Sequence, residues 1–88
     1  MRSTAILQQP ADVLPMATAQ KVKMMIIKRG MKPGDRLPTE NELAKLFSVS
    51  RSTLREAMKF LRAENVVVIR QGSGTFVSAG TGIGEDPL

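Results

Sequence analysis

The chain has 88 residues, no Cys, no His and a net charge of +5, so it makes one small domain at most. Those counts exclude disulfides, most zinc sites and Cys/His nucleophile chemistry. The longest apolar runs, Met24–Ile27 and Val66–Ile69, are far too short to span a bilayer.

Charge is concentrated in the middle. Residues 17–79 hold twelve Lys/Arg against five Asp/Glu, a net +7, which makes a polyanion the natural partner and a merely solvated basic surface the alternative. Residues 1–16 contain Pro10 and Pro15 and show no sustained period. They lack the charged start and long apolar stretch of a signal peptide and are expected to form a flexible arm.

The spacing of Ala19, Val22, Met25 and Ile26 predicts a first helix over about 17–29, closed by Gly30 as a left-handed cap. Pro33-Gly34 is a turn signal, and Leu37, preceding a proline, favours an extended Arg36-Leu37. Thr39-x-x-Glu42 is a capping box, in which each side chain satisfies an orphan amide at the start of a second helix. Leu43, Ala44, Leu46 and Phe47 provide its buried side.

Only Ser48 and Val49 separate that helix from the next cap, Ser50, so the two must cross steeply, as in a helix-turn-helix. The third helix is expected over about 51–64, with Leu54, Ala57, Met58 and Leu61 as its apolar stripe. At 3.6 residues per turn, Arg51, Arg55, Lys59 and Arg62 fall within about 80° of one another, beside that stripe. Asn65 suits the left-handed position after it. Val66–Arg70 and Thr75–Val77 then form a hairpin through Gln71, Gly72, Ser73 and Gly74. Val67 and Ile69 are expected to face the core and Arg70 to point away. Residues 79–88 are Gly-rich and read as a linker.

The fold expected is mainly α with a small β-hairpin: a winged helix-turn-helix of three helices plus a wing over 17–78. Such a fold places a helix in a DNA major groove and a loop beside it. Ser50, Arg51, Ser52, Thr53 and Arg55 cluster at the start of the third helix, where hydroxyls and amides bind phosphate and an Arg fork can grip guanine. Lys59 extends that basic arc. Arg70 and the Gln71-Gly72-Ser73-Gly74 tip let backbone approach a phosphate chain closely.

Nothing is placed for catalysis, and no cofactor or metal is implied. With three Phe and no Tyr or Trp, the chain is poorly equipped to stack single-stranded bases. The Lys and Arg residues of the first helix do not gather on one side, which argues against a membrane surface. Met24, Ile27 and Phe60 stand outside the main apolar stripes, either as plain surface or facing a further part of the protein. The alternative function is a winged-helix protein–protein module, which would not need the basic stripe.

At these residues the chain resembles the GntR family of bacterial transcription regulators over about 13–78. The landmarks are Lys32-Pro33-Gly34-Asp35, Leu37-Pro38-Thr39-Glu40, Glu42-Leu43-Ala44, Val49-Ser50-Arg51-Ser52-Thr53, Leu54-Arg55-Glu56-Ala57 and Gly72-Ser73-Gly74-Thr75-Phe76-Val77. The resemblance implies the DNA-binding part of a cytoplasmic repressor or activator. It would be a homodimer at full length, bind a short inverted repeat in double-stranded DNA, and take a metabolite effector in a C-terminal domain absent here.

The resemblance further implies that Arg51 and Arg55 contact bases or nearby phosphates. Ser50, Ser52 and Thr53 would bind phosphate or reach the groove, and Gln71 and Gly72 would enter the minor groove. Asn41 stands where many members carry an Arg that reaches the DNA, so its contact is expected to be altered. Asn65 replaces a usual Gly, and Gly30 lies one position late. The Asp86-Pro87-Leu88 ending resembles the linker of the subgroup whose second domain is an all-helical acid-binding bundle.

Overall fold

The computed structural model describes residues 10–79, with side chains from 13 onward. The expectations for 1–9 and 80–88, including the Asp86-Pro87-Leu88 linker, lie outside the described residues. In chain order the elements are α1 (Pro10–Lys28), α2 (Glu40–Phe47), α3 (Arg51–Ala63), β1 (Val67–Arg70) and β2 (Gly74–Val77). This is the expected mainly-α winged helix-turn-helix, three helices and a two-stranded antiparallel wing.

One boundary differs substantially. The helix expected from Ala17 begins at Pro10, so the second half of the expected flexible arm is helical. A proline is well suited to the first turn of a helix, where its missing amide has no intrahelical partner anyway. Pro15, inside the helix, does remove one amide donor. Its ring is buried, and the buried Thr18 hydroxyl donates to the Leu14 carbonyl at 2.8 Å, so the segment packs rather than frays.

All three helices stop by the same device. Gly30, Ser48 and Asn65 take left-handed φ values of 62°, 56° and 62°. In each case the following amide reaches back to a carbonyl five residues earlier: Met31 to Ile26, Val49 to Ala44, and Val66 to Leu61. This reversed bonding satisfies carbonyls that the helix leaves open and turns the chain sharply. It explains how two residues suffice between α2 and the Ser50 cap of α3.

The core gathers Ala19, Val22, Met25 and Ile26 of α1, Leu43 and Ala44 of α2, the four apolar residues of α3, and Leu37, Val67 and Val77. Two expected core residues lie outside it. Leu46 is 52% exposed. Leu43, Ala44 and Phe47 define the packed side of α2, and Leu46 projects about 110° away from its centre. Ile69 is 41% exposed although it shares a strand face with buried Val67. It lies about 6.5 Å further along the strand, towards the wing tip.

The wing pairs Val67 with Val77 and Arg70 with Gly74, leaving a three-residue tip over 71–73. Gly74, expected in the tip, belongs to β2. The extended segment before α2 adds a third edge: Arg36 bridges Phe76, and the Leu37 amide donates to the Thr75 carbonyl at 2.8 Å. This edge couples the wing to the start of α2 and sets the spacing of the groove between them.

Candidate nucleic-acid interface

A single open groove runs between the start of α3 and the wing. Arg51 and Arg55 enter it from α3, Thr39, Glu40 and Asn41 from the start of α2, and Arg36, Leu37 and Pro38 from the edge segment. The wing adds Ile69, Arg70, Gln71, Gly72, Gly74 and Thr75. Four arginines from three separate elements therefore face one space that holds a single carboxylate, Glu40. An arginine cluster with so little acidic compensation suits a phosphate-rich ligand.

Local structure fixes these positions. Thr39 caps α2: its hydroxyl accepts from the Glu42 amide at 3.1 Å, and the Glu42 carboxylate accepts from the Thr39 amide at 2.9 Å. That amide is the main reason the Glu42 carboxyl sits below its ordinary pKa. The Thr39 hydroxyl and the Arg36 charge add to it, against a small opposing effect of burial. Ser50 caps α3, its hydroxyl accepting from the Thr53 amide at 3.0 Å and donating to the Thr53 hydroxyl at 3.0 Å. The Ser50 hydroxyl is thus occupied within the protein, while Ser52 stands exposed beside it.

The two groove arginines of α3 are held from α2. Arg51 Nη1 donates to Asn41 Oδ1 at 2.9 Å, and Arg55 Nε lies 4.0 Å from Glu40 Oε1. Lys59 is exposed about two turns beyond Arg51 and outside the groove, and its ammonium pairs with Glu56 at 3.2 Å. On the wing, Arg70 lies over the Phe76 ring, 5.6 Å from its centroid. Gly72 turns the tip with φ of 78°, and the exposed Ser73 donates its amide to the Arg70 carbonyl at 2.9 Å.

Of the expected residues, the groove brings together Asn41, Arg51, Arg55, Arg70, Gln71, Gly72 and Gly74, while Ser50, Ser52, Thr53, Lys59 and Ser73 do not line it. Sequence reasoning missed Arg36 and Glu40. The Arg36 guanidinium lies against Gly74, where a Cβ would come within 2.9 Å of its Nε. The flexible Arg36 side chain could shift away from such a Cβ, so it is the backbone φ of 122° that favours glycine at position 74. The available signal was the extended Arg36-Leu37 pair: with Leu37 turned to the core, alternation puts Arg36 on the open side.

Among the described residues no group of His, Cys, Asp or Glu is arranged to hold a metal, and no helix is long and apolar enough to cross a membrane.

The model of the family described as bacterial regulatory proteins, gntR family, matches residues 16–77. The arabinose metabolism transcriptional repressor of Geobacillus stearothermophilus is 46% identical over 59 residues, which are 67% of this chain and 16% of that protein. A solved structure of Streptococcus agalactiae GntR superposes with a TM-score of 0.74 at 42% identity, over 83% of this chain and 35% of that one. The AraR DNA-binding domain in complex with operator ORR3 superposes with a TM-score of 0.67 at 34% identity, covering 74% of this chain and 78% of that one. The chain belongs to the gntR family of bacterial regulatory proteins, and it spans only a sixth to a third of the first two proteins it matches.

Proposed function

We propose that this GntR-family domain binds double-stranded operator DNA sequence-specifically, as the DNA-binding part of a cytoplasmic transcription regulator. The start of α3 enters the major groove, with Arg51 and Arg55 at the base edges. The wing, through Arg70, Gln71 and Gly72, follows the adjacent minor groove. Ser50, Ser52, Thr53, Lys59, Ser73 and Gly74 meet the sugar-phosphate backbone, with Ser50 acting chiefly through the helix start it caps. The observation that carries this reading is the groove that unites four arginines of α3, the edge segment and the wing. The likeness to a domain solved in complex with an operator supports duplex DNA as the partner.

The full protein is proposed to be a homodimeric, metabolite-responsive repressor that reads a short inverted repeat. In this reading residues 79–88 lead into a C-terminal domain that binds the effector and supplies the dimer contact. Its support is the much greater length of the matched relatives and the repressor function in the name of one of them.

Selection of bound sequences from random duplex DNA tests the reading, followed by a salt titration on the preferred site. With about four to six phosphates neutralised per monomer, log affinity falls against log salt with a slope near −4 to −5. Enrichment of no sequence, or an affinity indifferent to salt, would falsify it.

A further inference from the structure

We propose that Asn41 is a positioning residue for Arg51, so that the first turn of α2 sets which base α3 reads. The inference rests on the DNA-binding reading above and assigns Asn41 no direct base contact. Its basis is one bond between two exposed residues of different helices: Arg51 Nη1 donates to Asn41 Oδ1 at 2.9 Å, across ten positions of sequence. A guanidinium has five donors and no acceptor, so only the amide oxygen can meet it. The amide has no charge, so the bond carries a direction that a simple ion pair lacks.

The neighbouring pair shows the contrast. Arg55 Nε lies 4.0 Å from the Glu40 carboxylate, with side chains 62% and 40% exposed. That is a charge contact at the limit of an ion pair, open to solvent and screened by salt. Arg51 is pinned by hydrogen-bond geometry, whereas Arg55 is held only by loose attraction.

Pinning matters because of what the fork must do. Gripping guanine O6 and N7 needs two donors from one planar guanidinium in one orientation. With one Nη1 hydrogen given to Asn41, the Nε–Nη2 edge of Arg51 stays wholly free to read with. An unpinned exposed arginine loses side-chain freedom on binding that a held one has already lost. The typical size of that loss corresponds to about a 2–10-fold effect on affinity.

The test is a cycle of Asn41→Ala, Arg51→Ala and the double variant, each measured on random duplex DNA and on the duplex the wild type prefers. Asn41→Ala is expected to weaken the preferred duplex by about 2–10-fold and to flatten preference at the position that Arg51 reads. The salt slope and thermal midpoint should stay unchanged, because no phosphate contact and no core contact is lost. In the Arg51→Ala background the same change should cost nothing further. Asn41→Asp keeps an oxygen acceptor and should retain the base preference despite its added negative charge.

Equal cost of Asn41→Ala in both backgrounds would make Asn41 a direct DNA contact and overturn the inference. A wild-type preference left intact by Asn41→Ala overturns it too, while leaving the DNA reading in place. A wild type with no sequence preference overturns that reading and this inference together.

Discussion

On one side of α3, Leu54, Ala57, Met58 and Leu61 are almost wholly withdrawn from solvent, while on the adjoining side Arg51, Arg55, Lys59 and Arg62 all stand exposed. The two sets interleave along the same thirteen residues. One helix thus supplies the centre of the core and the arginines of the groove, and only the direction of each side chain separates the roles. Substitutions on the buried side should appear in stability, and those on the groove side in binding. Expected effects run from several kcal/mol down to a few tenths.

The largest effect belongs to the core. Leu61 is fully buried in the core that α1, α2, α3 and the wing share. Leu61→Ala should cost about 2–5 kcal/mol. Typical values per residue give a domain of 88 residues about 4–13 kcal/mol in total, so this is a large part of it. A thermal melt should show the midpoint falling by at least about 10 °C. A variant that melts like the wild type yet loses DNA affinity would show that the division of α3 is wrong.

On the other side, Arg51→Ala and Arg55→Ala should each cost about 1–3 kcal/mol in binding the preferred duplex, with relaxed sequence preference and an unchanged melt. Lys59→Ala should weaken all duplexes about equally, since it lies beyond the groove and already pairs with Glu56. Uniform losses in all three variants would make the two arginines phosphate clamps instead of base readers.

The division of α3 was legible in the sequence because it rests on a strong local period. So were the stops at Gly30 and Asn65 and both caps, because each needs a particular residue at a fixed offset. What stayed hidden depends on packing between elements. The continuation of α1 back through Pro15 runs against the usual reading of a proline as a helix breaker, and Pro15 and Thr18 are both buried there. Ile69 obeys strand alternation, but no local rule says how far along a strand burial extends. In the candidate site, Arg51, Arg55 and the wing tip were recognisable. Arg36 and Glu40 were not, because their place depends on an edge segment that bridges to β2 across 40 positions of sequence, far beyond the reach of any local motif.

A third effect lies at the join between the two regions. The capping box of Thr39 and Glu42 supports both the core residues of α2 and the placement of Asn41. Thr39→Ala should cost about 0.5–2 kcal/mol of stability. It should also weaken binding slightly, through a frayed first turn. The Glu42 carboxyl has a lowered folded pKa, so its contribution is fully present above the unfolded pKa and is lost as pH falls through the folded one. Glu42→Gln should therefore flatten the acid limb of the stability profile. An acid limb unchanged by that substitution would assign the titration to another carboxylate.

The smallest effect asks whether location or chemistry decides the role of a residue. Lys23 Nζ lies 2.6 Å from Glu64 Oε1, which ties α1 to the end of α3 on the side away from the groove. The pair is charged, like the groove residues, but it sits with the structural contacts. Its side chains are 29% and 53% exposed, so water and salt screen much of the attraction. Glu64→Gln should lower stability by about 0–1 kcal/mol at low salt, and the difference should vanish near molar salt. Duplex preference should not change, because no groove residue leans on this pair. Removing one negative charge should at most raise affinity for all sequences alike, through the overall field. If Glu64→Gln instead alters which sequences are bound, the end of α3 is mechanically linked to its start, and the helix cannot be divided into a side that holds and a side that reads.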